Sequence, residues 1–362
     1  MNRIGKGLKF GEYVLQSKIG EGSTAEVWSA SHAKGKKEKK AIKIFAPLNL
    51  LDDYSKKLIK SELKSTKDLN HPNIIVPTQY IEFEGVPAIV MPICDNSMWL
   101  EYIHRKRLIK KRNLNTKAVF SESFLLRLIR QVSNALIYIN ERNLVHNDIK
   151  PANILVNDSD NDESCTFFLS DFGITKEIRD TIVRQTNRNA SLTFAYAAPE
   201  KLRGLPGTIE SDIFSLGITV YELMSVADIA MPPGEILNNN GVITFDFPDY
   251  SDDFTALVRS MLKKDRSNRI KMEDISDRTN YLLNSESAHF SDTIRIEKTE
   301  NVEKRGIATM QSDPPAQRYK SQQVDVDENI LHILNKEKGR KAKNTNRVKK
   351  KVKVIAAIAL LT

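Results

Sequence analysis

The sequence predicts an α+β chain: a small strand-rich lobe, then a larger helical lobe, then a polar tail. Three observations carry this reading. Up to about residue 93 the chain consists of short β-rich runs interrupted by one helical stretch. From Ser121 to Arg142 the apolar residues fall on one helical stripe. Beyond about Asn284 the text turns polar and aperiodic.

The elements follow in order. Glu12–Ile19, Ala25–His32 and Lys39–Phe45 are β-rich, with Gly20-Glu21-Gly22 as the turn between the first two. Lys34 to Lys40 reads as a charged turn between strands. Tyr54–Leu69 is predicted helical, with Tyr54, Leu58 and Leu69 at compatible spacing, and ends before His71-Pro72. In the long helix, Phe124, Leu125, Leu128, Ile129, Val132, Leu136 and Ile139 form the buried stripe. Further helices are expected at 210–225, 251–263 and 272–283. The resulting division is 12–93 and 94–284 for the two lobes, 285–335 as flexible linker and 336–362 as a polybasic and short apolar tail.

Composition narrows the class. Of 362 residues, 40% are hydrophobic and 28% charged, with 15 Gly and 13 Pro, which excludes a wholly disordered or fibrous chain. Two cysteines, Cys94 and Cys165, support neither a disulfide framework nor a four-thiolate zinc site, and read as free thiols of a reducing compartment. No secretory signal follows Met1-Asn2-Arg3, and no run of apolar residues is long enough for a complete transmembrane helix. The net charge of +9 would suggest nucleic acid, but ten Lys/Arg against Glu337 lie between Lys336 and Lys353. The remainder is neutral, so no specific nucleic-acid partner is expected.

The chemistry begins at Ile19-Gly20-Glu21-Gly22-Ser23-Thr24-Ala25-Glu26-Val27. Glycines in a strand–turn–strand setting let backbone lie close over phosphates, because no Cβ intervenes. By itself such a hairpin is as often an ordinary turn. The next strand carries Ala41-Ile42-Lys43, and the helix behind it offers Glu62. Then comes Val145-His146-Asn147-Asp148-Ile149-Lys150-Pro151-Ala152-Asn153, with Asp171-Phe172-Gly173 eighteen residues after Asn153. Two acids and an amide oxygen suit a hydroxyl base plus hard-cation ligands, since Mg²⁺ prefers oxygen.

At this point the chain resembles a eukaryotic-type serine/threonine protein kinase domain, of the kind also found in bacterial receptor-like kinases, over roughly residues 12 to 284. Ala198-Pro199-Glu200, Asp212-Ile213-Phe214-Ser215-Leu216-Gly217 and Arg269 extend the match in the family's order. The resemblance implies the bilobal kinase fold and assigns roles. Gly20 to Val27 would cover ATP phosphates, below Ile19, while Val27 and Ala41 roof the adenine. Lys43 would contact the α- and β-phosphates and pair with Glu62. Met91 takes the gatekeeper position, and Pro92, Ile93 and Cys94 the hinge. Asp148 would accept the substrate proton, and Asn153 and Asp171 would hold Mg²⁺, with Mn²⁺ as a substitute. Glu200 and Arg269 would form a buried ion pair, and Asp212 would anchor the catalytic loop.

The same resemblance implies the substrate class. Lys150, two residues after the base, and Thr193, seven before Glu200, match the serine/threonine arrangement, so protein Ser/Thr hydroxyls are the expected acceptors. Four positions depart from the family. Ala25 replaces a glycine, Phe214 a tryptophan, and Pro92 removes a hinge donor. Asn147 stands where regulated members carry an arginine that pairs with a phosphorylated loop, which puts control by loop phosphorylation in doubt. A nucleotide-binding pseudokinase and a small-molecule phosphotransferase are the alternatives. The first is disfavoured because Lys43, Glu62, Asp148, Asn153 and Asp171 are all present, the second by Ala198-Pro199-Glu200, Asp212 and Arg269 together.

Two further features have plain readings. The cluster Arg105, Lys106, Arg107, Lys110, Lys111 and Arg112 reads as a solvated face, and Asp158 to Glu163 as an exposed hairpin. The apolar end Val354 to Leu361 follows the polybasic run directly. Eight helical residues reach about 12 Å, against a hydrocarbon core of about 30 Å. A cytoplasmic protein is expected, its tail either solvated or a shallow or truncated tether to an anionic membrane surface.

Overall fold

The computed structural model describes residues 4–21, 25–35, 38–45, 53–161, 164–172, 195–226 and 243–286, without the side chains of 53–55, 58, 62, 65, 285 and 286. The first lobe is a six-stranded antiparallel sheet: β1 (Lys9–Phe10), β2 (Tyr13–Glu21), β3 (Ala25–His32), β4 (Lys39–Phe45), β5 (Gln79–Phe83) and β6 (Val86–Pro92). The strands lie in the order β1-β2-β3-β4-β6-β5, and α1 (Asp53–Thr66) joins β4 to β5. Alternation along the strands separates two apolar clusters. Leu15, Trp28, Ile42, Ile44, Ala88 and Val90 pack on one face, and Ala25, Ala41, Phe45, Ile89 and Met91 with Ile59 on the other.

Two boundaries differ from expectation. The strand β2 runs on through Gly20 and Glu21, which pair with Val27 and Glu26, so these two residues belong to strand rather than to the predicted turn. Lys18 explains the extension, because its ammonium bridges Glu21 at 2.8 Å and Glu26 at 3.0 Å, tying the two strands together. The first helix closes at Thr66 rather than Leu69, where Leu69 N–H turns back to the Thr66 carbonyl.

The second lobe holds α2 (Met98–Arg112), α3 (Glu122–Asn140), α4 (Pro199–Leu202), α5 (Ile209–Met224), α6 (Asp252–Met261) and α7 (Met272–Glu286), with a small sheet β7-β8-β9. Its strands are β7 (Asn96–Ser97), β8 (Ile154–Asn157) and β9 (Thr166–Leu169). Ser121 caps α3 by accepting from Phe124 N–H, and the predicted stripe is buried along its whole length. Helix α5 is buried from Ser211 to Met224 and forms the lobe's axis. Sequence reasoning did not place α2, which is charge-rich and has only a narrow apolar side. Ser97 starts it and Asn113, at φ 52°, ends it. Within it Arg105 is not solvated. It pairs with Glu101 at 2.9 Å and stacks over Phe120 and Phe124.

Two sets of hydrogen bonds order the region where the lobes meet, the first of them crossing between the lobes. At the back, Ile75 N–H donates to Leu169 O and Leu169 N–H to Asn73 O, both at 2.8 Å. Just past the hinge, within the second lobe, Asp95 N–H donates to Asn157 Oδ1 and Asp158 N–H to Asp95 Oδ2.

Candidate active site

The site is built on β4, the loop after α3, and the segment after β9. Alternation on β4 puts Lys43 on the face shared by Ala41 and Phe45. Lys43 is 6% exposed, and its ammonium lies 2.6 Å from Asp171 Oδ1. Expected pairing of Lys43 with Glu62 concerns a side chain outside the described residues. Ile19, Val27, Ala41, Met91, Ile93 and Cys94 gather in one apolar cluster. Leu155 and Phe168 close it from the second lobe. Neither was singled out from the sequence. Ile154 and Val156 are fully buried in the helical lobe, so the period of two turns Leu155 the other way, towards the slot. Burial, with Asp95 adding to it, pushes the Cys94 thiol up to about 12, so it is a packing group rather than a nucleophile.

The loop from Val145 to Asn153 is held from below. Asp212, on α5, accepts His146 N–H at 2.8 Å and Asn147 N–H at 2.9 Å. Complete burial pushes the Asp212 carboxyl up, while His146, these two N–H groups and Lys201 act in the opposite direction. His146 Nε2 lies 3.0 Å from Ser170 O, and Asp148 N–H points to His146 Nδ1 at 3.3 Å. A carbonyl only accepts, so Nε2 is the donor to Ser170 O. Asn147 and Asp171 both have left-handed backbone, at φ 66° and 62°.

Asp148 is 7% exposed. Its Oδ2 accepts from Lys150 Nζ at 2.9 Å and from Asn153 Nδ2 at 2.8 Å. The same Asn153 nitrogen donates to the Asp148 carbonyl at 2.8 Å. Among the described residues nothing donates to Asn153 Oδ1, so an amide oxygen is left facing out of this network. Ser170 N–H and Oγ both donate to the Asn153 carbonyl, which brings Asp171 beside Asn153. Two oxygen donors therefore meet next to the Asp148 carboxylate, and that donor set fits a hard divalent cation.

A brace stands behind the site. Arg269 makes a two-pronged pair with Glu200, and Ser211 Oγ donates to the same carboxylate at 2.9 Å. Burial would raise the Glu200 carboxyl, but Arg269 outweighs it and holds the group below its ordinary range. Gly22, Ser23, Thr24 and Thr193 lie outside the described residues.

Two lobes, an apolar cluster between them, and a buried lysine with carboxylates nearby form a site of the kind that phosphotransferases use. The protein kinase domain family matches residues 13–280. Among curated proteins, the serine/threonine-protein kinase atg1 of Dictyostelium discoideum is 28% identical over 78% of this chain and 41% of its own length. The probable serine/threonine-protein kinase PknB of Lactococcus lactis is 29% identical over 62% of this chain and 33% of its own. Myosin light chain kinase A of Dictyostelium discoideum is 27% identical over 79% of this chain and 93% of its own. The chain thus spans less than half the length of the first two. The Mycobacterium tuberculosis PknI kinase domain, as its C20A_R136A double mutant, superposes with TM-score 0.57 at 21% identity, covering 78% of this chain and 100% of that one. The chain belongs to the protein kinase family, and its fold is the bilobal kinase fold.

Proposed function

We propose that this chain is an active serine/threonine protein kinase that moves the γ-phosphate of ATP to Ser and Thr hydroxyls of protein substrates. The observation that supports it most is the Asp148 carboxylate, in contact with Lys150 at 2.9 Å and Asn153 at 2.8 Å. In this reading Asp148 takes the hydroxyl proton as the substrate oxygen bonds to the γ-phosphorus. The bond from that phosphorus to the bridging oxygen breaks, and ADP leaves with the electron pair. Lys150 stands beside the developing charge, where a fixed cation stabilises the transition state. Lys43 orients the α- and β-phosphates, and the cluster around Val27, Ala41 and Leu155 takes the adenine. Asn153 and Asp171 are the residues that would hold Mg²⁺, or Mn²⁺ in its place, and the ion supplies charge neutralisation along the phosphates. Thr193 joins the Asp148–Lys150 pair in this proposal. The missing arginine at Asn147 makes turnover independent of loop phosphorylation.

The tail from Lys336 belongs to the proposal as an electrostatic tether to anionic membrane surface, with no part in catalysis. No helix among the described residues is long and apolar enough to cross a membrane. The test of the central claim is incubation with Mg-ATP and a generic basic protein, alongside Asp148→Asn. Phosphate on Ser or Thr from the wild type alone supports it. Equal labelling by both, or none by either, refutes it.

A further inference from the structure

Every polar atom of Asn147, the residue before the base, is engaged. Its N–H donates to Asp212 Oδ1 at 2.9 Å, and its Nδ2 to Val145 O at 3.2 Å. Its carbonyl and its Oδ1 each accept from Lys201 Nζ at 2.9 Å. Lys201 sits on α4, the short turn that also carries Glu200. One ammonium therefore grips a backbone and a side-chain oxygen of the same residue. The chain at Gly207 also comes so close that an added Cβ would stand 1.8 Å from Asn147 Oδ1. The carboxamide is thus pinned between a cation and a bare backbone, in a conformation (φ 66°) that most side chains disfavour.

We infer that Lys201 is a positioning residue for Asp148, acting through Asn147, and that it locks the catalytic loop to α4 with a permanent charge. The inference rests on Asp148 being the base. The physical argument is one of geometry. Asp148 follows Asn147 directly, so the φ and carbonyl direction of Asn147 set where the Asp148 carboxylate begins. Lys201 fixes that carbonyl, and Asp212 fixes the N–H at the residue's other end. Ammonium-to-amide bonds of this charge-assisted kind are stronger than neutral ones, and a lysine keeps its charge across the physiological range. The lock needs no modification to close. It makes the residue type at 207 part of the catalytic geometry, since any side chain there displaces the carboxamide that Lys201 holds.

The test uses the full chain and four proteins: wild type, Lys201→Met, Lys201→Arg and Gly207→Ala. With Mg-ATP and a basic protein acceptor, Lys201→Met and Gly207→Ala are expected to lower kcat on the order of ten- to a hundredfold, the cost of a base displaced by a fraction of an ångström to an ångström. KM for ATP should stay within about twofold, because Lys43 and the adenine slot are untouched. Lys201→Arg, which keeps the donors, should retain most of the turnover. Amide hydrogen exchange on the same four proteins reads the lock without catalysis. Protection of 146–150 should fall in Lys201→Met and Gly207→Ala and hold in Lys201→Arg, while α3 and α7 keep theirs. An unchanged kcat in Lys201→Met, equal losses in the Met and Arg variants, or unchanged protection of 146–150 overturns the lock. Should the wild type transfer no phosphate, the base assignment fails, and the exchange pattern alone then decides whether Lys201 orders the loop.

Discussion

Asn153 donates from a single amide nitrogen to both the backbone carbonyl and the carboxylate of Asp148, at 2.8 Å each. One side chain thereby sets the orientation of that carboxylate, the proposed base, and turns its own oxygen outward. Asn153→Leu is expected to lose both effects at once. Turnover should fall about a hundredfold from misplacement of the base alone. Steady-state kinetics across a Mg²⁺ series checks this, and a loss fully rescued by excess Mg²⁺ would show that only the cation ligand mattered.

The Lys43 ammonium lies 2.6 Å from Oδ1 of Asp171, the carboxylate proposed to hold a divalent cation. Lys43→Met should therefore bind Mn²⁺ more tightly than wild type in the absence of nucleotide, although its phosphoryl transfer is lost. Asp171→Asn should bind it more weakly than either. Titration calorimetry or Mn²⁺ magnetic resonance distinguishes the order, and weaker binding by Lys43→Met would refute the competition.

Breaking the Glu200–Arg269 pair leaves a buried charge uncompensated. Arg269→Leu should cost about 3–5 kcal/mol in chemical denaturation at neutral pH. The sign of its pH dependence follows from Glu200, whose carboxyl is held below its ordinary range in the fold. Stabilisation from the pair is present above the unfolded carboxylate pKa, about 4.3, and is lost as pH falls through the lower folded value. The gap between wild type and Arg269→Leu should therefore narrow in acid, and a gap that widens would contradict the assignment.

Gly217 lies in the interior of α5, where alanine ordinarily gains up to about 1 kcal/mol of helix propensity. Here a Cβ would meet Leu262 Cδ2 at 2.9 Å and Met261 Cβ at 3.0 Å. Overpacking of that kind costs about 1–3 kcal/mol, so it wins. Gly217→Ala should lower the melting temperature, and a rise would show that α6 yields.

For the tail, a chain ending at 286 should keep the specific activity of the full protein and lose binding to phosphatidylserine vesicles. Ten basic residues supply up to about 1 kcal/mol each near such a surface, reduced by salt and imperfect contact. Sedimentation with vesicles at low and physiological salt should show steep weakening. Full-length protein that ignores anionic vesicles at low salt sinks the tether.

Much of this molecule was legible in its sequence because its signals are local. The α3 stripe and the three strands before residue 46 follow from short-range pattern, and the set Lys43, Asp148, Asn153, Asp171, Glu200 and Arg269 from the motifs that carry the family resemblance. What escaped was non-local. Helix α2 presents mostly charge, so its start at Ser97 becomes visible only once β7 pairs with β8. Leu155 belongs to the slot because β8 has one face in each apolar cluster, which no linear reading of Ile154-Leu155-Val156 decides. Arg105 reads as surface charge until Phe120 and Phe124 lie beneath it. The grip of Lys201 on Asn147 spans 54 positions of chain, and no spacing rule anticipates it.

The bonds among Asn73, Ile75 and Leu169 tie the first lobe to the second, while Asp95, just past the hinge, is tied to Asn157 and Asp158 inside the second lobe. The chain leaving Cys94 is therefore anchored to the helical lobe within one residue. Any change of angle between the lobes has to be absorbed by the few residues before Asp95, or else break the bonds at Leu169 first. The adenine slot, bordered by Met91, Ile93 and Cys94, sits on that short connector and inherits its stiffness.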